Sequence, residues 1–101
     1  MSANVKISRE ELAAFCRRNH IRKLAFFGSV LRDDFTPDSD VDVLVEFEPD
    51  ARVGFFELYD MEQELGRLLG GRKVDLNTSK SLSKYFRDEV MQEAEEQYVQ
   101  T

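Results

Sequence analysis

Residues 26–47 read FFGSVLRDDFTPDSDVDVLVEF and place a Gly-Ser pair, an arginine and five aspartates before an apolar run. Asp40 and Asp42 are separated by one residue and lead directly into the apolar segment Val43–Val45. Because side chains alternate across a strand, the two carboxylates share one face while the valines point to the other. The stretch therefore predicts a strand over residues 40–47 that is buried on one face and carries paired negative charges on the other.

The segments on either side of this strand predict a small α/β (α+β) domain. Ser8 and Glu11 have the spacing of a capping box, which starts a helix over residues 8–19. Residues 23–27 form a short apolar strand that Gly28 stops. Further predicted elements are a helix or helical turn at 29–34, a loop at 35–39, a helix at 55–69 ended by Gly70-Gly71, a strand at 73–77, and a C-terminal helix through Leu82, Phe86, Val90, Ala94 and Tyr98. This order predicts one domain over residues 1–101, a small mixed sheet flanked by helices.

Composition and charge limit the classes of function. The chain has 101 residues, of which 42% are hydrophobic, a net charge of -6 and a pI of about 4.8. That balance disfavours direct nucleic-acid binding and suits a divalent cation or a basic partner. The single cysteine, Cys16, excludes an internal disulfide and a multi-cysteine zinc site, and we expect a buried thiol. No apolar signal region or membrane-spanning segment is visible, so we expect a cytoplasmic protein.

The paired carboxylates predict a metal site. Asp40 and Asp42 would repel each other unless a cation neutralised them, and Mg²⁺ prefers carboxylate, water and phosphate oxygens. Asp75 lies in the third predicted strand and would reach the same site if that strand pairs beside the one that carries Asp40 and Asp42. Three carboxylates on two strands can hold two ions about 3.5–4 Å apart, as in nucleotidyl transfer. The alternative is a surface turn at the strand start, in which Asp38 and Ser39 bond the local backbone.

The Gly-Ser pair predicts a phosphate contact. Gly28 follows an apolar strand, and a glycine there lets the backbone N–H groups approach an anion closely. Ser29 adds a hydroxyl donor, and Arg32 adds a cation one turn later. Taken singly, the pair is also compatible with an ordinary strand-to-helix turn, and Arg32 with a surface ion pair. The ordered combination with the aspartates is far more specific than any one part.

This combination resembles the nucleotidyltransferase superfamily that includes DNA polymerase beta. The superfamily signature is Gly-Ser at a strand–helix turn, a strand with two aspartates, and a third aspartate on a neighbouring strand. The length and the phrase GSVLRDDFTPDSDVDVLVEFEP are most similar to the minimal nucleotidyltransferase (MNT) group, over residues 21–98. The resemblance implies the palm-like fold of that superfamily. One departure is Asp33, where many relatives have a glycine after the motif arginine.

The resemblance also implies a function and a set of site residues. Members of the MNT group are typically paired with a HEPN-domain ribonuclease toxin, and some transfer AMP from ATP to a toxin tyrosine. In such a family, two Mg²⁺ ions and ATP would occupy the site, and the chain would form a hetero-oligomer with the toxin. The implied catalytic residues and metal ligands are Asp40, Asp42 and Asp75, of which the last would help deprotonate the attacking hydroxyl, and the implied nucleotide-binding residues are Gly28, Ser29, Arg32 and Ser39.

Two other functions stay open from the sequence. One is a non-catalytic antitoxin that neutralises the toxin by binding and masking it, although a pure binder does not need three converging carboxylates. The other is nucleotide transfer to a small molecule or an RNA 3′ end, which the acidic charge and the lack of a second domain disfavour.

Several surface features are also predicted. The apolar stripe of the C-terminal helix is expected to pack on the sheet, and one residue of the pair Phe55-Phe56 is expected to be exposed. His20 is expected to be exposed at the end of the first helix. The expected solvated acidic face comprises Glu89, Glu93, Glu95 and Glu96.

Overall fold

The computed structural model describes residues 5–82 and 84–100. The predicted domain limits, 1 and 101, lie outside these residues. In chain order the elements are α1 (Arg9–Arg18), β1 (Ile21–Phe27), a 3₁₀ turn (Gly28–Leu31), β2 (Val41–Phe47), α2 (Phe55–Leu68), β3 (Val74–Thr78), α3 (Lys84–Glu93) and β4 (Glu95–Val99). No helix in the described part of the chain has the length and apolarity needed to cross a bilayer.

The four strands form one mixed sheet in the order β3-β2-β1-β4. β1 runs antiparallel to both β2 and β4, whereas β2 and β3 are parallel and are joined through α2. The predicted fold class, a small mixed sheet flanked by helices, is therefore confirmed. The parallel pairing has a direct consequence for the site, because it sets Asp42 opposite Asp75.

One face of the sheet forms the hydrophobic core with α1 and α2. Val41, Val43 and Val45 of β2 are 0–1% exposed, as the alternation in the sequence predicts. The largest side chains packed against them come from β1 and the two helices: Phe15, Ile21, Leu24, Phe26 and Leu65. Since these residues occupy one face, the even-numbered positions of β2, including Asp42, point to the other.

The connection from α1 to β1 is a tight reversal. The N-terminal cap is as predicted, because Ser8 Oγ accepts a hydrogen bond of 3.1 Å from the Glu11 backbone N–H. At the other end, Asn19 caps the helix and His20 takes a φ of 57°, in the left-handed region. His20 is exposed, as predicted, and its Nδ1 lies 3.1 Å from Glu48 Oε2. That contact ties the reversal to the residue after β2.

The predicted C-terminal helix is wrong beyond Glu93, where the chain leaves α3 and forms β4. The apolar residues from Leu82 to Tyr98 recur every four positions, and on a helix of 3.6 residues per turn they drift by roughly 160°. They therefore do not form a single stripe. Without β4, the backbone groups on one edge of β1 would lack partners, and β4 supplies hydrogen bonds to them. Beyond β4, the Gln100 N–H donates to Arg22 O at 2.8 Å.

Cys16 is a fully buried thiol in α1, as predicted, and burial raises its pKa to about 12. Because the thiolate is the reactive species, we expect the folded protein to resist a thiol reagent such as DTNB at pH 8. The same reagent should label one cysteine per chain after unfolding in urea. Rapid labelling of the native protein would show that α1 opens readily from the sheet.

Candidate active site

The candidate site lies on the face of the sheet opposite the core, at the start of β2 and β3. Asp42 and Asp75 are each the second residue of their strand, and the parallel register pairs them directly. Asp42 is half-buried and Asp75 is exposed. The structure therefore brings together two of the three predicted carboxylates, and it does so through backbone pairing rather than through flexible side chains.

Asp40 lies just before β2 and is exposed. The Val41 N–H that follows it donates to Lys73 O at 2.8 Å, which fixes the start of β2 against the approach to β3. The pKa of Asp42 is raised above its ordinary value, first by burial and then by the negative charges of Asp75 and Asp40. The three predicted carboxylates are therefore within electrostatic reach of one another.

The fit of this site to a cation can be judged from its donors. Within residues 5–82 and 84–100, no three Asp, Glu, His or Cys side chains are placed to ligate one ion together. The negative charges of Asp75 and Asp40 nevertheless disfavour the ionised form of Asp42. The oxygens around it are carboxylate oxygens, which are ligands that Mg²⁺ prefers. The donor chemistry thus fits a hard divalent cation, although the three side chains are not assembled into a closed ligand set.

Gly28 lies directly against Asp42. It follows β1, whose last residue, Phe27, pairs with Asp42, and its backbone has a φ of 77°. A Cβ atom added to Gly28 would lie only 2.4 Å from Asp42 Oδ2. Glycine is needed here for two reasons, the positive φ and the close approach of a carboxylate to the backbone.

The helix or helical turn predicted over 29–34 is the 3₁₀ turn Gly28–Leu31, which ends earlier than predicted because Arg32 takes an extended conformation with φ -117° and ψ 164°. A four-residue turn has no appreciable helix dipole, so an anion here would depend on individual donors. Ser29 is half-buried in this turn. Arg32 lies close enough to Asp42 for its charge to lower the pKa of that carboxyl, against the effects that raise it.

Ser39 is engaged in its own loop. Its Oγ accepts a hydrogen bond of 3.0 Å from the Thr36 N–H and lies 3.0 Å from Thr36 Oγ1. Ser39 N–H in turn donates to Thr36 O at 3.0 Å. In this conformation the hydroxyl shapes the turn that delivers Asp40 to β2, so its predicted role as a nucleotide contact requires that it exchange these bonds.

Glu93, which the sequence predicts only as part of a solvated acidic face, lies in the candidate site. Its Oε1 accepts a hydrogen bond from the Gly28 N–H at 3.1 Å and lies 3.4 Å from Arg32 Nη1. The register of β4 explains this position: Phe26 pairs with Glu95 in antiparallel strands, which brings the last residue of α3, Glu93, alongside the start of the 3₁₀ turn at Gly28. The sequence would predict this position of Glu93 only if residues 95–99 were recognised as a strand.

The family model described as "Nucleotidyltransferase domain" matches residues 9–96. A Methanocaldococcus jannaschii protein, provisionally named a protein adenylyltransferase, is 39% identical over 62 residues, which is 61% of this chain and 61% of that protein's length. The protein adenylyltransferase MntA of Thermococcus cleftensis is 37% identical over 73 residues, covering 72% of this chain and 71% of its own.

A structure provisionally described as a minimal nucleotidyltransferase superimposes with a TM-score of 0.70 and 32% identity, covering 86% of both chains. A chain of the complex between the tri-AMPylated HEPN toxin of Shewanella oneidensis and its MNT antitoxin superimposes with a TM-score of 0.65 at 19% identity. That match covers 90% of this chain and 69% of the other, and at this identity it bears on the fold alone.

Proposed function

The chain belongs to the nucleotidyltransferase domain family, and on that premise we propose that it transfers AMP from ATP to a tyrosine of a HEPN-domain ribonuclease toxin and so acts as its antitoxin. The observation that carries the proposal is the direct pairing of Asp42 with Asp75 on the face of the sheet opposite the core, with Gly28 against Asp42. A domain that only masks a partner has no use for carboxylates held together at an energetic cost.

The proposed reaction is an in-line displacement at the α-phosphorus of ATP. The tyrosine oxygen forms a bond to phosphorus, and the bond from phosphorus to the oxygen bridging to the β-phosphate breaks. Pyrophosphate leaves with that electron pair, and the phenolic proton passes to a carboxylate, for which Asp75 is our candidate. The chain contributes positioning and charge complementarity rather than a covalent intermediate.

The nucleotide would be held by groups of the 3₁₀ turn after β1 and of the loop before β2. The Gly28 N–H, the Ser29 hydroxyl and the Arg32 guanidinium are the proposed donors to its phosphates, and Ser39 is a further candidate. Mg²⁺ would be held by Asp42 and Asp75 together with Asp40. When bound, it would supply charge neutralisation for the phosphates and polarise the reacting oxygens. ATP is a cytoplasmic metabolite, so this function requires the cytoplasm.

A protein acceptor is supported by the surface of the chain. Both Phe55 and Phe56 are exposed, at 90% and 87%, although only one was expected to be. Phe86, one residue of the stripe predicted to pack on the sheet, is 60% exposed, and its neighbour Tyr85 is 90% exposed. Large exposed aromatic side chains are typical of protein–protein contact surfaces. Neutralisation by masking alone is the second candidate, and the same surface would serve it.

Labelled ATP tests the reaction class. We expect label from the α-phosphate to appear on a HEPN-domain partner, taken first from the neighbouring gene, whereas label from the γ-phosphate should leave with pyrophosphate. Omission of Mg²⁺ or addition of EDTA should stop the transfer. Incorporation of the γ label would instead indicate a kinase, and label on RNA but not on protein would favour transfer to a nucleic-acid end.

A further inference from the structure

The contact between Glu93 and Gly28 occupies the donors that the proposed function assigns to phosphate. The Gly28 N–H donates to Glu93 Oε1 at 3.1 Å, and Arg32 Nη1 lies 3.4 Å from the same oxygen. A carboxylate oxygen held between a backbone N–H and a guanidinium has the charge and the partners of a phosphate oxygen. The side chain and a nucleotide phosphate cannot both use the Gly28 N–H.

Arg32 is drawn toward carboxylates on two sides. Its Nη1 faces Glu93 at 3.4 Å, and its Nε lies 3.7 Å from Asp34 Oδ1. The guanidinium is 56% exposed and the Glu93 side chain 44% exposed, so water reaches both partners. Exposed ion pairs of this kind are weak, which makes the contact one that a more highly charged triphosphate can displace.

The pairing of β4 with β1 sets the position of Glu93 in the chain next to Gly28. The pairing of Phe26 with Glu95 brings the end of α3 alongside Gly28, so the Glu93 carboxylate lies within reach of that N–H while β4 is paired with β1. Elsewhere in α3, Arg87 Nε donates a hydrogen bond of 2.8 Å to Ser79 O, and the aromatic residues Tyr85 and Phe86 are exposed. Because the Glu93 side chain is 44% exposed, it can turn into solvent while β4 stays in the sheet.

We propose that Glu93 is a built-in competitor of the nucleotide, an autoinhibitory carboxylate that must leave the Gly28 N–H and Arg32 before the phosphates of ATP bind. This inference rests on the proposed function, because it takes these two groups as phosphate donors. The apparent Kd for ATP then equals the intrinsic Kd divided by the fraction of molecules in which Glu93 has withdrawn. Removal of the carboxylate should tighten binding without any new contact to the nucleotide.

The test is direct binding of ATP to Glu93→Ala and Glu93→Gln, measured by calorimetry without a protein partner. We expect ATP to bind about five- to tenfold more tightly to Glu93→Ala, the range expected for loss of an exposed charge-assisted hydrogen bond. Glu93→Gln keeps the size of the side chain and an acceptor oxygen, so it should give a smaller gain in affinity for ATP. Adenosine, which has no phosphate, should bind all forms equally.

Glu89→Gln is the matched control, because Glu89 is an exposed residue of the same helix and its loss changes the net charge equally. If Glu89→Gln tightens the binding of ATP as much as Glu93→Gln does, the effect comes from the change in net charge and the inference fails. It also fails if wild type binds ATP and Glu93→Ala binds it no better or more weakly, which would make Glu93 a support of the loop. Absence of ATP binding in every form would overturn the proposed function itself.

Discussion

Asp42→Asn is expected to reduce AMP transfer by about a thousandfold or more while leaving the protein folded. Asp42 is the carboxylate on which the site converges, since Asp75 pairs with it, Asp40 acts on it electrostatically and Gly28 lies against it. Loss of a cation-holding carboxylate removes several kcal/mol of transition-state stabilisation, and each 1.36 kcal/mol is a factor of ten in rate. The rate is measured with α-labelled ATP and the HEPN partner.

The fold of the same variant provides the second readout. Burial and two like charges raise the pKa of Asp42, so its ionised form is disfavoured in the metal-free protein. A neutral amide removes that conflict, and we expect the melting temperature without metal to stay equal to wild type or to rise. Asp50→Asn, at an exposed position after β2, is the matched control and should retain full transfer. Full transfer by Asp42→Asn would exclude this residue from the site.

Gly28→Ala is the second change with a large expected effect. The new methyl group would need to occupy a point 2.4 Å from Asp42 Oδ2, on a backbone with φ 77°. The left-handed conformation alone costs an L-residue about 1–2 kcal/mol, and relief of the clash displaces either the Asp42 carboxylate or the Gly28 backbone. A shift of about 1 Å at a reacting group can cost a hundredfold in rate, so we expect both stability and transfer to fall.

Gly70→Ala separates these two causes. Gly70 follows α2 with φ 83°, and a Cβ atom there would meet nothing within 4 Å. The Gly70→Ala variant should therefore lose comparable stability, because alanine is strained at a positive φ, but it should keep normal AMP transfer at a temperature where it is folded. Urea unfolding and initial transfer rates would be compared for both variants. Equal transfer by Gly28→Ala and Gly70→Ala would show that close packing of Gly28 on Asp42 is irrelevant to the reaction.

Much of the fold could be predicted because its signals are local. The alternation of valines with Asp42 predicts both the buried strand and the face of its carboxylate, and Ser8 marks the start of α1 by its capping spacing. The three-strand core with its two covering helices follows from such patterns. The convergence of Asp42 and Asp75 was conditional on strand order, which is a long-range property that the sequence pattern does not specify.

The parts that could not be predicted depend on tertiary partners. Residues 95–99 become a strand because β1 offers an open edge, and no local pattern outweighs the helical spacing that precedes them. The role of Glu93 follows from that strand's register, so one missed element also hid a site residue. The helix or helical turn predicted over 29–34 is a 3₁₀ turn that ends at Leu31, because Arg32 takes an extended conformation.

The intact mass of the partner decides whether this chain is an enzyme that acts on a protein. The purified chain, ATP, Mg²⁺ and the HEPN-domain protein would be incubated, and the partner's mass and ribonuclease activity followed together. We expect a gain of one or more AMP groups that tracks the loss of ribonuclease activity, with neither change for Asp42→Asn at catalytic concentrations. Inhibition of the partner at unchanged mass, equal for wild type and Asp42→Asn, would contradict it and establish masking instead.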